Sequence, residues 1–261
     1  MNKKLIFFDI DGTLLDHNKQ LQATAKKAIA ELKRKGHIVA AATGRAPFTF
    51  KPILEELDID THVSMNGQYV VFENEAIYKN PLSSNVLQEL NNFAATKNHP
   101  IIYVNHEDWY SNTENHPLVK RAIDSLKVDQ ELTYNPKFHH SGEVYQALLF
   151  TPEESEQDYW EAFKQQLEFI RWHEHSIDVL PHGGSKAAGI EKLIDHLQIP
   201  ADDVYAFGDG LNDIKMLQSV RNSIAMGNAS DVVKESAKIV TKDVQDDGIL
   251  HGLRMVGLIK S

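Results

Sequence analysis

An α/β protein with a Rossmann-like parallel-sheet core and an inserted α+β cap is the fold class that this sequence predicts, on three observations. Short apolar runs alternate with amphipathic helical stretches toward both ends of the chain. Between about residues 81 and 183 that alternation gives way to closely spaced short strands. Polar or acidic turns follow the apolar runs at Asp9, Thr43 and Asp209, where an α/β sheet collects its ligand-binding groups.

The elements follow in order. Residues 4–8 are apolar apart from Lys4 and break at Asp9, which reads as a buried strand ending in a polar turn. A helix comes next, with Leu21, Ala25, Ile29 and Leu32 on one face, Lys26, Lys27, Lys33 and Arg34 on the other, and Gly36 where a C-cap belongs. Residues 37–42 form a second strand running into Thr43-Gly44-Arg45. Pro47 suits the start of a helix that reaches about residue 57, and Val63 begins a short strand stopping at Asn66-Gly67. Residues 69–72 and 76–78 then pair as a hairpin.

Past Pro81, a helix is expected over 83–97, strands at 101–104, 109–111 and 145–150, a helix over 153–167, and strands at 169–173 and 177–180. Alternation resumes beyond Gly183-Gly184 with a helix over 186–197, a strand at 204–207, a helix after Asn212, a strand at 223–226 and a C-terminal helix. The expected domains are a core of residues 1–80 and 184–261 and a cap of residues 81–183.

With 261 residues, 42% of them hydrophobic, the chain can bury a sizeable core. No apolar run approaches the ~20 residues of a membrane-spanning helix, and 5–8 is far too short for a signal-peptide core, so no membrane partner is expected. Zero cysteines rule out disulfides, thiolate metal sites and cysteine nucleophiles, and fit a reducing cytoplasm. A net charge of −10 argues against nucleic acid, which would gain no counterion release from such a surface. A small anionic ligand needs only a few local cations and N–H donors.

Asp9-Ile10-Asp11-Gly12-Thr13 brings two carboxylates into one site. On an extended chain they would lie on one side, ~6–7 Å apart. One carboxylate can form an acyl-phosphate while its neighbour, its pKa raised by nearby negative charge, serves as acid. Asp9 is the expected nucleophile and Asp11 the acid/base. Asp209, in Phe207-Gly208-Asp209-Gly210-Leu211-Asn212-Asp213, supplies a hard oxygen ligand of the kind Mg²⁺ takes, whereas Asn212 or Asp213 can instead cap the following helix. Thr43 and Gly44 offer a hydroxyl and N–H groups to a phosphate. Lys186 opens a helix, a poor place for a cation unless it answers to an anion, although solvation is the commonest fate of a lysine.

In order and spacing these segments resemble the four motifs of the haloacid dehalogenase superfamily of phosphatases. Asn66-Gly67, Gly183-Gly184-Ser185-Lys186 and Ala225-Met226-Gly227-Asn228-Ala229 look like its bacterial sugar-phosphatase branch with a type IIB cap. The resemblance implies a Mg²⁺-dependent phosphatase for small phosphorylated metabolites, sugar phosphates foremost. It implies Asp9 as nucleophile and metal ligand, and Asp11 as acid/base whose carbonyl reaches the metal. Asp209 would be a further ligand, Thr43, Gly44, Lys186 and Asn212 would bind phosphate, and Asp213, Arg45 and Asn66 would support them. Many relatives have glycine directly after the lysine; here Ala187 stands there, and glycine comes at position 189.

In the cap, Trp109 and Arg171 can line a ring-shaped leaving group or serve packing. The histidines His106, His116, His139, His140, His173, His175 and His182 lie there with His99, and of the seven only His173 and His175 have the spacing to share a strand face. A phosphomannomutase-like transferase and a non-catalytic sugar-phosphate sensor are the alternatives; two intact aspartates speak against the sensor. A monomer or weak homodimer is expected.

Overall fold

The computed structural model describes residues 3–126 and 130–260. In chain order the elements are β1 (Leu5–Phe8), α1 (Ala23–Arg34), β2 (Ile38–Ala42), α2 (Pro47–Leu57), β3 (His62–Ser64), β4 (Tyr69–Phe72) and β5 (Glu75–Lys79). There follow α3 (Ser84–Thr96), β6 (Ile101–Val104), β7 (Trp109–Ser111), α4 (Pro117–Leu126), β8 (Thr133–Tyr134), β9 (Gln146–Phe150), α5 (Glu156–Phe163), β10 (Leu167–His173) and β11 (Ser176–Pro181). The chain closes with α6 (Lys186–Leu197), β12 (Val204–Gly208), α7 (Ile214–Ser219), β13 (Asn222–Ala225), α8 (Asp231–Ser236), β14 (Ile239–Val240) and α9 (Gly248–Met255).

Two compact units emerge. The first comprises Met1–Gly44, Pro52–Tyr78 and Ser185–Ser261; the second comprises Arg45–Lys51 and Lys79–Gly184. The first holds an eight-stranded sheet in the order β14-β13-β12-β1-β2-β3-β4-β5. Its strands run parallel from β14 to β3, and β4 pairs antiparallel to β3. The central strands are apolar on both faces because helices cover both. Leu5, Phe7, Ala40 and Ala206 pack with Ile190 and Leu193 of α6 and with Met216 and Leu217 of α7. On the other face the Phe8 and Phe207 rings stack at 4.9 Å, and α9 comes so near that a Cβ on Gly252 would meet Phe207 at 2.6 Å. Each fully buried ring contributes roughly 1.5–3 kcal/mol, so Phe207 anchors the strand that leads into Asp209.

The second unit has a six-stranded sheet, β10-β11-β9-β6-β7-β8, antiparallel except for β7 beside β8. Leu87, Leu90 and Ala94 of α3 and Tyr159 and Phe163 of α5 share a core with Ile101, Tyr103, Leu149 and Val179. Residues 45–51 group with this unit, and Phe48 meets Trp109 edge-on at 5.7 Å. The helix expected over 153–167 is shorter. Leu167 pairs with Pro181 at the start of β10, and α5 ends at Phe163. Among the described residues no helix is long and apolar enough to cross a membrane.

Candidate active site

β1 and β12 lie side by side with Phe8 opposite Phe207, and the Asp9 N–H donates to the Phe207 carbonyl at 3.0 Å. From β1 the chain proceeds outward to β2 on one side and later returns to β12 on the other, so the strand order switches here. In an open α/β sheet the ligand crevice lies beyond the strand ends at such a switch. Asp9 and Asp209 are the first residues past those ends.

Asp9, Asp209 and Asp213 each present a carboxylate oxygen within 4.8 Å of the others. Lys186 Nζ lies 2.5 Å from Asp9 Oδ1 and 2.7 Å from Asp213 Oδ1, and the Lys186 and Asp213 side chains are fully buried. The second Asp213 oxygen accepts from the Asp209 and Gly210 N–H groups, both at 2.9 Å. Asp213 thus braces the turn after β12 and pins Lys186. It does not cap α7.

Two buried carboxylates, Asp9 and Asp213, and the half-buried Asp209 face one ammonium. Burial pushes the Asp9 carboxyl well above its ordinary range; Lys186 opposes this, and the Asp213, Asp209 and Asp11 charges add to it. Asp209 is pushed up to about 7 by burial and then by Asp213, against the Thr13 hydroxyl bond and Lys186. For Lys186, burial alone would favour proton loss, but Asp213 and Asp9 together more than offset it and hold the ammonium above the usual lysine range. Lys186 divides its charge between two partners, so it only partly offsets the burial that governs Asp9. Such a donor set, hard carboxylate oxygens with excess negative charge, fits a divalent cation of the Mg²⁺ kind.

The two aspartates do not share an extended strand. β1 stops at Phe8, and the chain curls so that the Leu14 and Leu15 N–H groups return to the Asp9 and Ile10 carbonyls at 3.2 and 2.8 Å. Gly12, at φ +80°, makes the curl possible: a Cβ there would stand 2.0 Å from Asp209 Oδ2. Thr13 Oγ1 donates to Asp209 Oδ1 at 2.9 Å. Asp11, half-exposed, pairs with Lys19 Nζ at 2.5 Å. Lys19 was not legible beforehand, since nothing in the sequence separates it from the other surface lysines.

Thr43, Asn66 and Asn212 meet at the neighbouring strand ends. The Asn66 N–H donates to the Thr43 carbonyl at 3.1 Å, and Asn212 Nδ2 donates to Asn66 Oδ1 at 3.1 Å. Gly44 is beside both amides, its missing Cβ only 3.1 Å from Asn66 and 3.3 Å from Asn212. Lys186 is the first residue of α6, whose N-cap Ser185 accepts from the Ala188 N–H at 3.2 Å.

The sequence pattern of the haloacid dehalogenase-like hydrolases matches residues 6–253. The chain belongs to that family. It is 48% identical to the candidate phosphatase YkrA of Bacillus subtilis strain 168 over 260 residues, the full length of both. A hypothetical protein of Geobacillus kaustophilus HTA426 has a crystal structure that superposes with a TM-score of 0.92 at 45% identity, over 99% of this chain and all of that one. The HAD subclass IIB sugar phosphatase BT4131 superposes with a TM-score of 0.89 at 30% identity, over 98% of this chain and all of that one.

In this HAD-like hydrolase the other anticipated side chains belong to the second unit. Arg45 opens its 45–51 segment. Trp109 is buried, and its Nε1 donates to the Glu131 carbonyl at 3.1 Å. Arg171 donates from Nε to Glu156 Oε2 at 2.6 Å and from Nη1 to the His173 and Glu174 carbonyls at 3.0 and 3.1 Å. Both side chains thus have packing or bonding roles of their own. The His173 and His175 rings are 5.8 Å apart, and among the described residues no cap histidine joins a group of three metal-ligating side chains.

Proposed function

We propose that this HAD-type phosphatase hydrolyses phosphate monoesters of small metabolites, sugar phosphates above all, through an aspartyl-phosphate on Asp9. The observation that carries the reading is the buried Lys186 ammonium between Asp9 and Asp213, with Asp209 beside them at the ends of β1 and β12. The sugar-phosphate preference is supported by the 30% identity to the sugar phosphatase BT4131 over nearly the whole chain.

In this reading an Asp9 oxygen attacks phosphorus, the ester P–O bond breaks, and Asp11 delivers its proton to the leaving oxygen. Asp11 then takes a proton from water as the water oxygen attacks the phosphoryl group, which releases inorganic phosphate and restores Asp9. Lys186, the Thr43 hydroxyl, the Gly44 N–H and Asn212 hold the phosphoryl oxygens and offset their charge. Asn66 keeps Asn212 in place, and Asp213 keeps Lys186 in place. Mg²⁺, held by the Asp9 and Asp209 carboxylates and the Asp11 carbonyl, with Asp213 in support, would supply Lewis-acid stabilisation of that charge. The second unit would set substrate selectivity.

A panel of phosphorylated metabolites assayed for phosphate release with Mg²⁺ tests the proposal. Sugar phosphates are expected to give the highest kcat/KM, without a bisphosphate activator. Undiminished turnover after thorough chelation would rule out the metal, and a preference for non-sugar esters would rule out the substrate class.

A further inference from the structure

We propose that Asn228 is a positioning residue for Asp209, fixing the carboxylate in the plane in which it receives a divalent cation. The inference rests on the metal-dependent reading above and adds a residue to it. Asn228 lies in the turn after β13, where the Met226 N–H donates to the Gly208 carbonyl at 2.9 Å and the Gly227 N–H to the Lys242 carbonyl at 2.8 Å. Its side-chain amide joins three segments. Nδ2 donates to the Gly12 carbonyl at 2.9 Å and to Asp209 Oδ2 at 3.2 Å, while Oδ1 accepts from the Val244 N–H at 2.9 Å. The reversed amide would set an oxygen against two acceptors and an NH₂ against a donor, so the network admits one orientation.

Asp209 consequently has a donor on each oxygen, Thr13 Oγ1 on Oδ1 and Asn228 Nδ2 on Oδ2. One hydroxyl donor would leave the carboxylate free to turn about its Cβ–Cγ bond, because a hydroxyl follows the acceptor it serves. A second donor from a planar amide, itself anchored on the backbone at Val244 and Gly12, removes that rotation. Each carboxylate oxygen still has lone-pair capacity for a cation. Residues that orient a ligand in this way typically change metal affinity by about 10–100-fold when removed.

The test is direct Mn²⁺ binding, read from the electron paramagnetic resonance signal of free Mn²⁺, on the full chain and on Asn228→Ala, Asn228→Leu and Asn228→Ser, with thermal melting alongside. Leucine keeps the approximate shape and loses every hydrogen bond; serine is the mildest change and keeps the experiment decisive if the others melt too low. The Mn²⁺ Kd is expected to rise about 10–100-fold in each folded variant, with much of the lost activity recovered at high Mg²⁺. A Kd within twofold of the parent in a folded variant, even one with a lowered Tm, would reduce Asn228 to a structural residue and overturn the inference. Asp209→Asn separates the two readings. If the parent binds no Mn²⁺, or binds it equally well as Asp209→Asn, the metal reading fails and takes this inference with it; if Asp209→Asn abolishes binding and the Asn228 variants do not weaken it, only the role of Asn228 falls.

Discussion

A Cβ placed on Gly189 would stand 2.6 Å from the Gly67 Cα, 2.7 Å from Val63 Cγ1 and 2.9 Å from the Gly67 carbonyl oxygen. Backbone therefore rests on backbone where α6 meets the turn that carries Asn66, and Lys186 lies in the same first turn of that helix. Gly189→Ala must push the helix away and carry Lys186 with it. Overpacking of this kind costs about 1–3 kcal/mol, of which the better helix propensity of alanine returns at most about 1. We expect a lower urea midpoint and a kcat/KM reduced about tenfold or more, since small displacements of catalytic groups are costly. Unchanged kcat/KM in this variant would show that Lys186 does not depend on the contact.

Lys186→Met leaves Asp9 and Asp213 buried without their cation. Removing one member of a buried pair destabilises by about 3–5 kcal/mol, and turnover should fall for every substrate alike. Adding Asp213→Asn should restore much of the stability and none of the activity, which separates the folding role of the pair from its chemical one. Urea unfolding of the single and double variants decides; equal stability of the two would mean that Asp213 does not bear the strain.

His62 on β3 is buried, and that burial pushes its imidazole down to about 4. The unfolded chain takes up this proton near pH 6.5, so between there and pH 4 the unfolded state binds a proton that the folded state refuses. Stability should fall as pH drops through that window, by about 2 kcal/mol between pH 7.5 and 5. His62→Gln should flatten this part of the profile. Urea midpoints across the range provide the measurement, and an unaltered slope in the variant would assign the effect elsewhere.

Legibility followed locality. The starts of α2 and α6 were readable because Pro47 marks the one and Gly183-Gly184 shortly precedes the other in the sequence itself. The ten-residue α4, the short α8 and the two-residue β14 are not among the expected elements; α8 and β14 have too few residues for periodicity to stand out. Leu167 was expected in a helix because its neighbours are helical formers, but pairing with Pro181, fourteen positions later, makes it a strand residue. The candidate site divides in the same way. Asp9, Thr43, Lys186 and Asp209 could be picked out because each follows a strand or opens a helix. Lys19 beside Asp11 and the amide of Asn228 over Asp209 arise from folds of the chain that spacing does not encode.

The last prediction separates Asp9 from Asp11 by leaving group. A sugar alkoxide leaves poorly and needs a proton as the P–O bond breaks, whereas p-nitrophenolate departs without one. Asp9→Asn should therefore abolish turnover of sugar phosphates and p-nitrophenyl phosphate alike, because no nucleophile remains. Asp11→Asn should nearly abolish sugar-phosphate cleavage yet give a burst of p-nitrophenol, after which the phosphoryl group persists on Asp9 because no base activates water. The ion pair with Lys19 makes a further control available: Lys19→Met removes the partner of Asp11 while leaving the carboxyl in place, so it should retain steady turnover of both substrates. Rapid-mixing time courses paired with intact-mass detection of the phosphorylated enzyme provide the readout. Equal losses for both substrates in a folded Asp11→Asn protein, with neither burst nor mass increase, would move Asp11 from proton transfer to the support of the metal site or the fold.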